Sequence, residues 1–142
     1  MRLLVASAAL LALGIGVVAA QEATRTGPGA PELAEGKAVY AHWCAPCHAN
    51  EPGLAGTMSL AVKYEGTDIP AVLEDRTDLS APVITFFVRN GVAWMPPFRP
   101  TEISDTELEQ LNAYLTAPLE DRGAHVPLLG EEMVELNARG EQ

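Results

Sequence analysis

The chain is poor in cysteine and in positive charge, and it has no strand-like alternation. Its 142 residues hold two cysteines, Cys44 and Cys47, and both belong to one C-x-x-C. Exported domains of this size commonly brace distant segments with disulfides; without a second pair, such a framework is excluded. Nine Lys and Arg stand against nineteen Asp and Glu, a formal charge of −10. So acidic a surface excludes nucleic acid as an expected partner. It favours solubility and steering toward a basic docking face, although a solvated acidic surface with no dedicated partner has the same composition. Internal repeats are absent, and no nucleophile stands beside a base in the pattern of a hydrolytic site.

What is present begins with an apolar start. Arg2 precedes an uncharged run of 18 residues from Leu3 to Ala20, and Val18-Ala19-Ala20 offers small residues for cleavage. This reads as an export signal over residues 1–20 and places the mature chain in the periplasm. The alternative is an uncleaved anchor, since the run is just long enough to span a bilayer. Gly14 and Gly16 weaken a spanning helix, and no basic cluster follows. Cleavage after Ala20 removes one basic residue and no acid, leaving 8 basic against 19 acidic residues and a charge of −11. Residues 21–31, rich in Gly and Pro, read as a flexible leader. Residues 32–118 read as the folded domain and 119–142 as a tail of open structure, in which Glu131 to Ala138 suits an amphipathic turn.

The domain is expected to be all-α. Leu33, Gly36, Tyr40 and Trp43 recur at spacings of three and four, so a helix over 32–44 shares them on one face. Pro52, Gly53 and Gly56 mark residues 49–57 as a loop, and Ser59 to Tyr64 suits a helical turn. The polar stretch 65–78 is irregular. A second helix starts near Ser80, with Pro82 in its first turn, Asn90-Gly91 as its stop, and Val83, Phe86, Phe87 and Val88 as an apolar face. A third starts at the capping box Ser104-Asp105-Thr106-Glu107, with Leu108, Leu111 and Leu115 inward and Pro118 after it.

Cys44-Ala45-Pro46-Cys47-His48 is the string that carries chemistry. A C-x-x-C alone suits a thioredoxin-like pair or half a zinc site. A zinc site needs about four ligands, and no second pair is present; the thioredoxin reading wants an α/β pattern. The histidine directly after the second cysteine points elsewhere. In C-x-x-C-H the thiols attach covalently to haem, and the imidazole becomes the proximal iron ligand. One haem c is therefore the expected cofactor, held by Cys44, Cys47 and His48.

A sixth ligand is sought among the methionines. Met95 lies in Trp94-Met95-Pro96-Pro97-Phe98, where two prolines restrict the backbone and can hold a weak ligand without a regular element. Met95 is thus the expected second iron ligand, opposite His48, as in His/Met electron-transfer cytochromes. Met58 is close to His48 in sequence and reads as core, and Met133 sits in the tail. His42 and His125 are ligand types whose ordinary role is surface or packing. Arg89 and Arg99 suit either haem propionates or plain solvation, while packing is the main reading of Trp94.

Gly36 and Tyr40, Cys44-Ala45-Pro46-Cys47-His48, Met95-Pro96 and the closing Tyr114-Leu115 together resemble a small class I c-type cytochrome over about residues 32–118. The resemblance implies helices packed around one haem, with first and last helices crossing at Gly36, Tyr40, Leu111 and Tyr114. It also implies a loop Pro whose neighbouring carbonyl accepts from the proximal histidine; Thr57 stands near that place and Pro52 lies earlier, so the carbonyl is open. A narrower likeness runs from Glu74-Asp75-Arg76-Thr77-Asp78-Leu79 through Arg89-Asn90-Gly91 and Met95-Pro96-Pro97-Phe98 to Thr101-Glu102-Ile103-Ser104-Asp105. This run is similar to the cytochrome subunit of flavocytochromes of the p-cresol methylhydroxylase and eugenol hydroxylase kind. It implies a non-enzymatic haem subunit that accepts electrons singly from an FAD-containing partner acting on para-alkylphenols. Electrons would then pass to another cytochrome, a cupredoxin or an oxidase. Two other readings stand beside it: a freestanding carrier that shuttles electrons to a terminal oxidase, and a haem sensor or peroxidase-like enzyme with an exchangeable sixth ligand.

Overall fold

The computed structural model describes residues 25–128. The expected export signal, the first residues of the leader and the end of the tail, including Met133, lie outside the described residues. Within them the chain is all-α, and the nearest approach to a sheet is a single bridge between Val92 and Met95.

The first helical stretch is continuous from Pro31 to His48 but changes its winding three times. A 3-10 turn at Pro31–Leu33 leads into α1 (Ala34–Val39), a π-helical turn at Tyr40–Cys44 and then α2 (Ala45–His48). Pro46 gives the widened turn a physical cause. A proline inside a helix has no N–H to donate, and its ring crowds the carbonyl four residues back. The ladder adjusts, and the Ala45 N–H reaches back five residues to the Tyr40 carbonyl. Such π turns are frequent at functional sites. Here the turn contains the first cysteine of the motif.

α3 (Ala55–Lys63) begins within the expected loop and runs through the expected turn. α4 (Ala81–Asn90) has Pro82 in its first turn and ends at Gly91, whose φ of 69° an L side chain resists. Ser80 precedes it in extended backbone but makes no side-chain cap. The expected apolar face of α4 is rotated in the structure. Ile84 and Val88 are buried, whereas Val83 and Phe86 are exposed. α5 (Asp105–Thr116) has the full capping box: Ser104 Oγ accepts from the Glu107 N–H at 3.2 Å, and Glu107 Oε2 accepts from the Ser104 N–H at 2.8 Å. Leu108, Leu111, Tyr114 and Leu115 form its buried face.

α1 and α5 make the most extensive contact between elements. Gly36 permits it. A Cβ there would overlap the Gln110 carbonyl oxygen and sit 2.9 Å from Tyr114 Cβ. Beside the crossing, the Tyr40 and Tyr114 rings lie 5.8 Å apart, both fully buried.

Packing continues past both expected edges of the domain. α6 (Leu119–Arg122) follows α5. The leader is laced to α6 and the chain after it by Ala30 N–H to Asp121 O at 2.7 Å and Ala124 N–H to Gly27 O at 2.8 Å. Lys37 Nζ donates to the carbonyls of Arg122 at 3.2 Å and Ala124 at 2.6 Å. Arg122 is itself buried, donating to the carbonyls of Ala117 and Glu74.

Candidate functional site

The winding of the first helical stretch sets out the motif residues. Cys44 closes the π turn, half-buried, and packs against the core; Cys47 is one turn on and exposed. Both thiols are free. Burial pushes the Cys44 thiol up to about 12, with the neighbouring Cys47 adding to the shift. His48 ends α2 and is half-buried. Burial holds its imidazole below the ordinary histidine value, so the ring is neutral at pH 7, the form that ligates metal.

Two contacts surround His48. Tyr40 Oη donates to the His48 carbonyl at 2.8 Å. The N-terminal turn of α3 lies against the ring, and a Cβ on Gly56 would come 2.5 Å from His48 Cε1 and 2.6 Å from Nδ1. His48 Nδ1 is buried with no hydrogen-bond partner. The carbonyl acceptor implied for the ring is therefore not found among the described residues, and Thr57, near its expected place, donates its hydroxyl to the Ala49 carbonyl at 2.9 Å instead.

Met95 sits in a tight turn. Val92 and Met95 exchange backbone bonds of 3.0 and 2.9 Å, and Ala93 adopts a positive φ of 50°. Met95 is half-buried and packs on the same core cluster as Cys44. An edge-on contact between Trp43 and Phe98, centroids 5.6 Å apart, ties the motif helix to the Met95 loop. Behind the loop, Phe98 N–H donates to the Val88 carbonyl at 2.8 Å.

Other expected roles are reassigned. Arg89 is committed internally, donating to the carbonyls of Phe98 and Ile103 and pairing with Asp105 at 2.8 Å, so it braces the Met95 loop. Arg99 pairs with Glu102 on the surface. Trp94 is 97% exposed, which overturns the packing reading, and Met58 is 56% exposed and not core. His42 is exposed with its ring edge-on to Trp43, and His125 Nε2 lies 2.7 Å from Asp75.

Little in the chain's local pattern announces the buried polar cluster around Glu74. Glu74 is fully buried; it accepts from Tyr114 Oη at 2.5 Å and from the Val126 N–H at 3.2 Å. Asp75 beside it pairs with Arg25 at 3.2 Å. The polar composition of 65–78 masks these positions. Three charged residues in a row at 74–76 were the available signal, and they read equally well as surface.

The 3-10 turn, the motif helix, α4, the Met95 turn and all but the last residue of α5 fall within residues 31–115, which match the family model described as cytochrome c oxidase, cbb3-type, subunit III. The chain belongs to the cbb3-type cytochrome c oxidase subunit III family. No curated protein and no solved structure matches it. Membership corrects the likeness to a class I cytochrome and to the haem subunit of a p-cresol methylhydroxylase or eugenol hydroxylase flavocytochrome. The run 74–105 that suggested a flavin partner consists of parts the fold uses for itself: Glu74 for the buried cluster, Arg89 and Asp105 for the loop brace, and Ser104 for the helix cap. The all-α expectation stands, while the class I haem fold gives way to this family. The FAD-containing, alkylphenol-oxidising partner is withdrawn with it, in favour of a terminal oxidase.

The expectation of a metal-binding chain also needs correcting. Among the described residues no group of three or more His, Cys, Asp and Glu converges to hold a metal ion. The residues around the motif nevertheless fit a macrocycle that brings its own four equatorial ligands. Two free thiols stand one turn apart beside a neutral, half-buried imidazole. The adjacent α3 buries none of its residues, although Met58 and Val62 are apolar. Also among the described residues, no helix is long and apolar enough to cross a membrane.

Proposed function

We propose that this chain is an exported electron-transfer subunit or carrier of a cbb3-type terminal oxidase, with one haem c attached through Cys44 and Cys47. In this reading His48 and Met95 would be the two residues that ligate its iron. The observation that carries it is the C-x-x-C-H string on a helix end within a match to an oxidase-subunit family. Bound haem c would supply the one-electron Fe(III)/Fe(II) couple. The protein's part is to hold and enclose. Cys44 anchors one edge from the core side, the π turn and Pro46 set the spacing to Cys47, and His48 is presented neutral. The braced turn from Gly91 to Phe98 fixes the Met95 thioether, which raises the potential relative to two nitrogen ligands. With His48 and Met95 both committed to the iron, the chain would pass electrons and leave oxygen chemistry to the rest of the oxidase.

Mass spectrometry and a pyridine haemochrome assay of protein matured in the periplasm test the attachment. One covalent haem per chain is expected, lost in the Cys44→Ala, Cys47→Ala double variant; a wild type without haem refutes the reading. Met95→Ala should abolish the far-red Met–iron charge-transfer band of the ferric protein, and an unchanged band would remove Met95 from the ligand set. Co-purification with an oxidase core distinguishes a subunit from a freestanding shuttle, and elution with a flavoprotein instead would count against both.

A further inference from the structure

A metal-ligating histidine almost always donates its second ring N–H to a carboxylate, carbonyl or water, and that bond fixes the ring's direction. His48 departs from this pattern, because its buried Nδ1 has no partner. The protein contacts that His48 does make then bear on the ring's direction. Two residues from different elements touch His48 from two sides. Tyr40 is fully buried in the α1/α5 crossing, and its hydroxyl holds the His48 backbone carbonyl at 2.8 Å. Gly56 lies against the ring edge, where a Cβ would come 2.5 Å from Cε1, 2.6 Å from Nδ1 and 2.6 Å from the Cys47 carbonyl.

We propose that Tyr40 and Gly56 are the positioning residues of the axial imidazole, Tyr40 fixing where the His48 backbone ends and Gly56 setting the ring plane by direct contact. The inference rests on the haem reading and adds to it the means by which this chain orients His48. Carbon atoms in contact settle at about 3.5–4.0 Å, so a methyl group on residue 56 must displace the ring by roughly 1 Å or rotate it. The Cys47 carbonyl oxygen, 2.6 Å from that methyl, is backbone and yields little. Tyr40 acts differently. Its ring is held by Tyr114 at 5.8 Å, so Phe at this position keeps the packing and removes only the hydrogen bond to His48. Neither residue touches the reacting iron, and both act through His48.

The test uses haem-loaded wild type, Gly56→Ala, Tyr40→Phe and, as a control, Ala55→Ser at an exposed neighbouring position. Haem content and thermal stability are measured beside the ferric electron paramagnetic resonance spectrum, whose g values report the orientation and strength of the axial ligands. Gly56→Ala is expected to shift the g values and add a high-spin ferric signal. Tyr40→Phe should shift them less, with haem content unchanged, and Ala55→Ser should match wild type. A structural role alone would lower the melting temperature and leave the g values where they are. Wild-type g values in both variants, with haem attached, overturn the proposal while the haem reading survives. If Gly56→Ala fails to mature, Tyr40→Phe decides, and an unshifted spectrum there overturns the proposal. A wild type lacking covalent haem overturns both at once.

Discussion

Gly36→Ala separates helix propensity from tertiary packing, because the two predict opposite signs. Within a helix, Ala is favoured over Gly by about 1 kcal/mol. Gly36 is an interior residue of α1, so local preference alone predicts a stabilised protein. The crossing predicts the reverse. The added methyl would overlap the Gln110 carbonyl oxygen and come 2.7 Å from the Gln110 carbonyl carbon and 2.9 Å from Tyr114 Cβ. Two of these atoms are α5 backbone, so relief requires the helices to move apart along their whole contact. Overpacking of this kind costs about 1–3 kcal/mol, and a rigid backbone neighbour places Gly36 at the upper end. Subtracting the propensity gain leaves a net loss of about 2 kcal/mol. For a domain of this size that is a fall in melting temperature of roughly 8–16 °C. Urea titration of the haem-loaded protein, followed by far-ultraviolet circular dichroism, reads the loss as a lower midpoint at constant slope. A midpoint equal to or above wild type would show that α1 and α5 do not meet at Gly36 as described.

Three further outcomes follow from the same geometry. Tyr114→Phe removes a hydroxyl that donates to the fully buried Glu74 carboxylate. It should cost about 1.5–3 kcal/mol in a denaturant titration; a loss under half of that would show that Glu74 finds another donor. Trp94→Ala should leave stability within about 0.5 kcal/mol, because the side chain is 97% exposed, and a large drop in melting temperature would restore the packing role. In folded haem-free protein, iodoacetamide should label the exposed Cys47 well before Cys44. A thiol held near a pKa of about 12 is almost entirely protonated at pH 8, and its labelling rises only as the pH approaches that value. Equal labelling of both at pH 8, read by peptide mass spectrometry, would contradict the burial of Cys44.

Much of the scaffold was legible in local sequence because local chemistry dictates it. The capping box at Ser104 and Glu107 forms as its spacing predicts, and Gly91 stops α4 by its positive φ. The face shared by Leu33, Gly36, Tyr40 and Trp43 does turn to the core. Reading failed where the period was right but the partner was unknown. In α4, Val83, Phe86, Phe87 and Val88 are all apolar, and only the placement of α5 decides that Ile84 and Val88 point inward. The early start of α3 was hidden by Gly53 and Gly56, which read as loop. Gly56 is there for the close approach of His48.

By itself the sequence determined the motif Cys44-Ala45-Pro46-Cys47-His48, the all-helical character, the stop of α4 at Gly91 and the start of α5 at Ser104, since each depends on residues within one or two turns. Only the tertiary structure decided the rest. It drew Glu74 out of a polar stretch into full burial against Tyr114, 40 residues away. It made Arg89, which the sequence leaves equally open to a propionate or to plain solvation, a brace for the Met95 loop. It also set Tyr40 and Gly56 against His48. The physical reason is the same in each case. A buried charge, a committed guanidinium or a glycine under a ring is defined by which distant group comes near, and chain-local chemistry carries no record of that neighbour.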